Sequence, residues 1–258
     1  MKPETLEEAA RVASAACDAA RREILPRFRS VAVETKADGS PVTEADRAAE
    51  RAIRAVLREA FPDFAILGEE YGEEAGASAE GTGPKWVIDP IDGTIAYSRG
   101  IPLFSTIIAL LDEGEPVLGL IDLPALDERM LGWKDGGCRL NGHPVRVSQE
   151  KELSRALVSH GDPMCFDQAG QRPAFERMAR EIPMLRGYTD AFGHVQVLSG
   201  AVDAMVDVDL NPWDAAATQV LAGEAGGSCV ARKRARGKID LVFGSPALVE
   251  QLAAFLSG

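Results

Sequence analysis

Residues 86–94 read WVIDPIDGT. An apolar run meets Asp89, Pro90, Ile91 and Asp92, and the stretch closes on Gly93 and Thr94. Two carboxylates placed so close repel unless a proton or a cation lies between them. Pro90 cannot donate to a sheet ladder and fixes its own φ. It predicts that a strand over 86–89 stops here and that Asp89 and Asp92 converge beyond its end. Gly93 lets the backbone approach a ligand closely, and Thr94 can open a helical turn, so the amides here can receive an anion. Carboxylates for a cation beside amides for an anion suit a phosphate bridged to protein through metal ions.

Other acids stand at similar places. TEAD (43–46) fits a helix cap with Thr43 as N-cap and Asp46 three residues on, and Asn211-Pro212-Trp213-Asp214 fits another. GEE (68–70) taken alone reads as an exposed loop. The three histidines, His143, His160 and His194, form no HxxxH pair, so oxygen donors dominate and favour Mg²⁺ or Mn²⁺ over Zn²⁺. A bound cation would cancel the Asp89–Asp92 repulsion and invert the local field, so that a phosphate dianion could approach an acidic protein. Metal ions also activate water and stabilise a leaving alkoxide, which slow phosphate-monoester hydrolysis needs.

The elements that must position these groups follow from periodicity. Leu6, Ala9, Ala10, Ala13, Cys17, Ala20 and Ile24 predict a helix over 4–29, and a second helix follows Thr43. VAVETK (31–36) alternates like a strand and meets a turn at Asp38-Gly39. FAILGEE (64–70) reads as a strand running into a loop. IIALL and VLGLIDL pair around Asp112-Glu113-Gly114. Beyond Ser148 the pattern predicts helices near 173–181, 190–199 and 212–225, strands at DAMVDVDL (203–210) and DLVFG, and a last helix SPALVEQLAAFL. In DAMVDVDLN, period two puts Val206, Val208 and Leu210 on one face and Asp207 and Asp209 on the other. Strands and helices mix without strict alternation, which argues for layered sheets rather than a barrel.

The chain has 258 residues, 46% of them hydrophobic, and a formal net charge of −12. That excludes the basic face of a nucleic-acid binder. The one basic cluster, Arg232, Lys233, Arg234, Arg236 and Lys238, reads as a solvated loop. Four cysteines without a CxxC pair, and a polar N-terminus with no signal peptide, point to the cytoplasm. The apolar run from Ile101 is too short to span a membrane.

GEE, WVIDPIDGT, PWDAA and the following EAGG, in this order and spacing, resemble the inositol monophosphatase superfamily over nearly the whole chain. The resemblance implies an α/β (α+β) fold, a five-layered αβαβα sandwich of the inositol monophosphatase and fructose-bisphosphatase-like type. It implies one phosphatase domain over 1–258, with halves of about 1–147, carrying the metal and phosphate motifs, and 148–258, carrying the substrate side and Asp214. It also implies a Mg²⁺-dependent phosphatase for a small phosphorylated metabolite. Glu69, Asp89 and the carbonyl of Ile91 would hold a first ion; Asp89, Asp92 and Asp214 a second; a third would be loosely held, and Mn²⁺ could substitute. Gly93 and Thr94 would bind phosphate through their amides. Glu69, Thr94 and Asp46 would place or deprotonate the attacking water. Lithium inhibition and a homodimer, with a contact at an exposed apolar edge around PLFSTIIALL, complete what it implies.

Arg99-Gly100 and LRGYTDAFGHVQVLSG (185–200), with Arg186, Asp190 and Gly193, resemble the histidinol-phosphatase branch more than the inositol branch. Ile95 and the glycine spacing depart from that pattern. Asp190 and Asp207 are the expected substrate-binding carboxylates. Inositol 1-phosphate or another small polyol or sugar phosphate is the alternative substrate. Fructose-bisphosphatase-like or sulfonucleotide-phosphatase activity, and a non-catalytic role as a phosphate-ligand-binding regulatory protein, are the other readings.

Overall fold

The computed structural model describes residues 1–30, 32–35, 41–76 and 83–257, so the turn expected at Asp38-Gly39 and the ends of the strand expected over 31–36 lie outside the described residues. The helices are α1 (Pro3–Ile24), α2 (Glu44–Ala60), α3 (Thr94–Ser98), α4 (Pro163–Gln168), α5 (Arg172–Glu181), α6 (Asp190–Leu198), α7 (Pro212–Glu224) and α8 (Pro246–Ala253). The strands are β1 (Val33–Thr35), β2 (Pro41–Thr43), β3 (Ala65–Gly68), β4 (Gly72–Glu74), β5 (Lys85–Asp92), β6 (Ser105–Asp112), β7 (Glu115–Leu123), β8 (Glu128–Trp133), β9 (Gly137–Leu140) and β10 (His143–Pro144). They continue with β11 (Leu157–His160), β12 (Met184–Arg186), β13 (Ala204–Leu210), β14 (Ser228–Lys233) and β15 (Ile239–Gly244).

Among the described residues, an eight-stranded sheet runs in the order β10-β9-β8-β7-β6-β5-β3-β4, and a five-stranded sheet in the order β12-β11-β13-β15-β14. Helices α1 and α2 bury Ala9, Ala13, Ala20, Ala49, Ile53 and their neighbours against the outer face of the large sheet. Helices α6 and α7 lie between the sheets, where Ala215, Ala217, Leu221 and Val195 meet Ile107, Ile121, Met205 and Phe243. Helices α4, α5 and α8 cover the far face of the small sheet through Phe166, Met178, Leu248 and Leu252. The order helix, sheet, helix, sheet, helix is the five-layered sandwich.

The β6–β7 hairpin shows why the middle of the large sheet forms. Asp112 faces Glu115 across Glu113 and Gly114, whose φ values of 53° and 83° give the mirror-image turn that matches strand twist. Both neighbours of β6 are paired, and Ser105–Leu110 are buried, so the expected exposed edge around PLFSTIIALL does not exist. Phe104 and residues 107–110 are taken up inside the chain, while Pro102, Leu103 and Leu111 are half-buried.

Pro90 does not end its strand. β5 continues to Asp92, which pairs with Ser105, and the register against β6 shifts between Asp89 and Asp92. The irregularity absorbs the missing proline N–H, and Thr106 Oγ1 donates to the Pro90 carbonyl at 2.8 Å. A second departure is in β13. A register shift between Asp207 and Leu210, with Asp209 at φ 60°, breaks the period-two pattern. Val206 and Val208 face the outer helices, while Leu210 packs with Met205 against the central layer. The basic cluster is not a plain solvated loop either. Arg232 and Lys233 close β14, and Arg234 pairs with the buried Asp240 at 3.2 Å.

Candidate active site

The carboxylates that the sequence singles out come together where β5 meets the starts of α2, α6 and α7. Each helix start is built by local rules. At α2, Thr43 Oγ1 accepts from Ala45 N at 3.1 Å, while Thr43 N donates back to Asp46 Oδ2 at 2.8 Å. At α7, Pro212 occupies the first turn and Asn211 N donates to Asp214 Oδ2 at 2.8 Å. The caps and the site use the same residues: a first-turn acid held by one oxygen keeps the other free to point outward.

Asp89, Asp92 and Asp214 each bring a carboxylate oxygen within 4.8 Å of the others. Asp89 is 2% exposed, and its Oδ1 is buried without a hydrogen-bond partner among the described residues. Asp92 is held from behind: its Oδ2 accepts from Ser105 Oγ at 2.9 Å and from Ala191 N at 2.6 Å. Burial, reinforced by the neighbouring acids, drives Asp89 well above the usual carboxylate range and pushes Asp92 and Asp214 each up to about 7. A buried orphaned oxygen inside a group of mutually repelling oxygen donors fits a hard divalent cation. Glu69 stands outside this trio, near enough that its charge raises Asp46, Asp89 and Asp214. The loop that carries it is set by Glu50, which is fully buried, bonded to Arg54 Nε at 2.8 Å, and accepts from Glu70 N at 2.7 Å and Tyr71 N at 3.2 Å. A side chain at Gly68 would collide with that carboxylate.

Gly93 adopts φ 81° and ψ 38° between β5 and α3, a conformation that costs a residue with a Cβ about 1 kcal/mol or more. Thr94 follows, its Oγ1 donating to the Ile91 carbonyl at 3.0 Å and standing 3.3 Å from Asp46 Oδ1. Asp46 is 1% exposed, and burial raises its carboxyl above the usual range.

Beside the acids lies a cavity of about 180 Å³ lined by Asp92, Asp162, Asp190, Asp207, Asp209, His194, Asn211, Asp214 and Lys238 among others. Both expected substrate carboxylates therefore reach the site. Asp190 opens α6 at φ 59°, its Oδ2 close against Gly93, and burial pushes its carboxyl up to about 6. Asp207 is 3% exposed and bonded to His194 Nε2 at 3.1 Å. Arg186 is exposed and binds the Leu185 carbonyl, outside the cavity lining. Sequence reasoning missed Ser105, Glu50, His194, Thr218, Asp162 and Lys238. Lys238 Nζ reaches Asn211 Oδ1 at 2.8 Å and Asp209 at 3.9 Å, from a cluster read only as solvated. A signal for two of the others was present: His194 lies one helical turn after Asp190, and Thr218 one turn after Asp214, hence on the same faces.

Oxygen donors for a cation at a strand end, an amide turn and a small polar cavity are the equipment of a phosphatase for small phosphate esters. Comparison with known proteins agrees. The sequence model of the Inositol monophosphatase family matches residues 3–252. The chain is 38% identical to the histidinol-phosphatase of Chlorobaculum parvum over 213 residues, covering 82% of this chain and 80% of that one. It is 38% identical to the histidinol-phosphatase of Streptomyces coelicolor over 230 residues, covering 84% of each. The crystal structure of the extragenic suppressor protein suhB from Bartonella henselae superposes with a TM-score of 0.87 at 27% identity, over 96% of this chain and 98% of that one. The chain belongs to the inositol monophosphatase family.

Proposed function

We propose that the protein is a Mg²⁺-dependent hydrolase that converts L-histidinol phosphate to L-histidinol. The observation that carries the substrate is the charge of the cavity: among the described residues that line it, Asp162, Asp190, Asp207 and Asp209 stand against one lysine or arginine, Lys238. Such a wall favours an alcohol that carries an ammonium and an imidazole over a neutral polyol. The names of the two histidinol-phosphatases support the same choice.

Glu69, Asp89 and the Ile91 carbonyl would hold one ion, and Asp89, Asp92 and Asp214 another. When bound, Mg²⁺ neutralises the phosphate, activates water and stabilises the leaving oxygen. The chain's own residues do the rest. Ser105 and Ala191 N hold one oxygen of Asp92, which turns the other toward the acid cluster. The turned backbone at Gly93 presents the Gly93 and Thr94 amides to phosphate. Thr94 Oγ1, between the Ile91 carbonyl and Asp46, orients the attacking water and passes its proton toward Asp46. The burial that raises the Asp46 carboxyl makes it a stronger base. The free cysteines support a reducing, cytoplasmic setting.

The test is phosphate release from a panel of L-histidinol phosphate, myo-inositol 1-phosphate, fructose 1,6-bisphosphate and a 3′-phosphoadenosine nucleotide. A kcat/KM highest for L-histidinol phosphate supports the reading; a preference for inositol 1-phosphate moves the protein to the polyol branch. Chelation should abolish hydrolysis of every ester.

A further inference from the structure

Asp207, one of the cavity's acids, is joined to His194 and Thr218 in a buried hydrogen-bonded chain. They come from β13, α6 and α7, and are 3%, 1% and 0% exposed. His194 Nε2 meets Asp207 Oδ2 at 3.1 Å, and His194 Nδ1 meets Thr218 Oγ1 at 2.7 Å. An imidazole bonded at both nitrogens has one ring orientation, because turning it would break both contacts. Phe243 packs edge-on against it, with ring centroids 4.8 Å apart.

The other carboxylate oxygen is treated differently. Asp207 Oδ1 lies over Gly161, where any added Cβ would collide with it. Gly161 is itself fixed, its N–H donating to the Val206 carbonyl at 3.0 Å. No donor among the described residues meets Oδ1, and Asp207 lines the cavity. One oxygen is thus engaged from inside the protein and the other is left for whatever fills the cavity.

We infer that His194, braced by Thr218, is a positioning residue that fixes Asp207 so that Oδ1 accepts a hydrogen bond from the alcohol side of the substrate. The ligand group it selects is an N–H or O–H donor, and the surrounding acids favour a cationic N–H. This inference rests on the proposed function only for the identity of that donor. A histidine that merely filled the core would be coupled to fold stability and not to substrate choice.

The experiment measures kcat/KM for L-histidinol phosphate relative to p-nitrophenyl phosphate, together with the melting temperature. Variants are His194→Phe, His194→Gln and Thr218→Val, each alone and combined with Asp207→Ala. The expected result is that His194→Phe lowers the ratio about 10-fold, as for loss of one well-placed hydrogen bond to a charged group. His194→Gln, which keeps an amide N–H for Asp207, should recover most of it. In an Asp207→Ala chain, His194→Phe should change the ratio no further, because residues acting through one another are non-additive. Should His194→Phe not fold, the shape-conserving Thr218→Val carries the same cycle. An unchanged ratio in the folded single variants, or an equal loss with and without Asp207, overturns the inference. If the native protein prefers another ester of the panel, the functional reading fails; the same cycle run with that ester still decides the role of His194.

Discussion

Asp46 and Thr94 lie 48 positions apart in the chain, yet their side chains face each other across 3.3 Å. Asp46 Oδ2 serves the α2 cap, through Thr43 N and Thr43 Oγ1, while Oδ1 looks toward Thr94. Under the proposed mechanism, one carboxylate thus joins the cap to the chemistry. Thr94→Ala should lower kcat by about 10²-fold or more with little change in KM, the size expected for losing an acid–base relay. Steady-state kinetics with saturating Mg²⁺ check this; an unchanged kcat would leave Thr94 as a helix-start residue only.

The acid cluster predicts how stability responds to pH without metal. Asp92 and Asp214 sit near about 7, Asp190 near about 6, and Asp89 well above the usual range, chiefly through burial. Unfolded aspartates titrate near about 4. Between those values the folded chain holds more protons than the unfolded one, so stability falls as pH rises through about 4 to 7. The chelated protein should therefore melt several degrees lower at pH of about 8 than at about 5, since 1 kcal/mol is worth about 2–4 °C at this size. Saturating Mg²⁺ should remove most of the drop. A melting temperature that does not respond to Mg²⁺ would count against a cation site here.

Asp89→Asn gives the complementary result. It removes a charge opposed first by burial and then by the acids around it, so the chelated variant should melt at or above the unmodified protein. Its activity should be lost even with Mg²⁺ present. A variant that unfolds would mean that Asp89 has a structural role apart from the cluster.

Glu50 offers a subtler test. Its bonds among the described residues go to Arg54 and to the Glu70 and Tyr71 amides, which it holds beside Glu69. Glu50→Gln keeps the shape and loses the charge that pairs with Arg54. The Mg²⁺ concentration for half-maximal activity should rise about 10-fold, as for removing a group that orients a metal ligand. Mg²⁺-dependent melting, read beside activity, separates weaker binding from slower chemistry.

Asp190 stands between the Gly93 turn and the cavity. Asp190→Ala should raise KM for L-histidinol phosphate by about 10-fold, the value of one charge-assisted contact. Parallel loss with p-nitrophenyl phosphate would instead assign Asp190 to support of the Gly93 turn, which its Oδ2 approaches.

Much of this site was legible because its signals are local. Two caps, a proline, a glycine and two acids fall within short windows, and WVIDPIDGT places the centre of the site unaided. What stayed hidden is pairing across the fold. Ser105 behind Asp92, Glu50 beneath the Glu69 loop and Lys238 against Asn211 are neighbours only after strands and helices dock. Alternation puts Leu210 on the wrong face for a related reason: it assumes an unbroken ladder, and the backbone at Asp209 leaves it. A proline alone reads as a strand stop, whereas the register shift that admits Pro90 and the Thr106 hydroxyl that takes up its carbonyl both involve β6, remote in sequence.

The two ends of the cavity have different origins. Its acid-cluster end is built from β5 and the first turn of α7, whereas its opposite wall comes from the short α4 and the residue before it, the irregular end of β13 and the residue before β15. Much of that wall sits at element ends, where a changed side chain disturbs little packing. Evolution can therefore rewrite what the molecule accepts without rebuilding how it cuts. Neighbouring specificities in such a fold stand only a few substitutions apart, and a laboratory search confined to positions 162, 165, 168, 209 and 238 would be the short route between them.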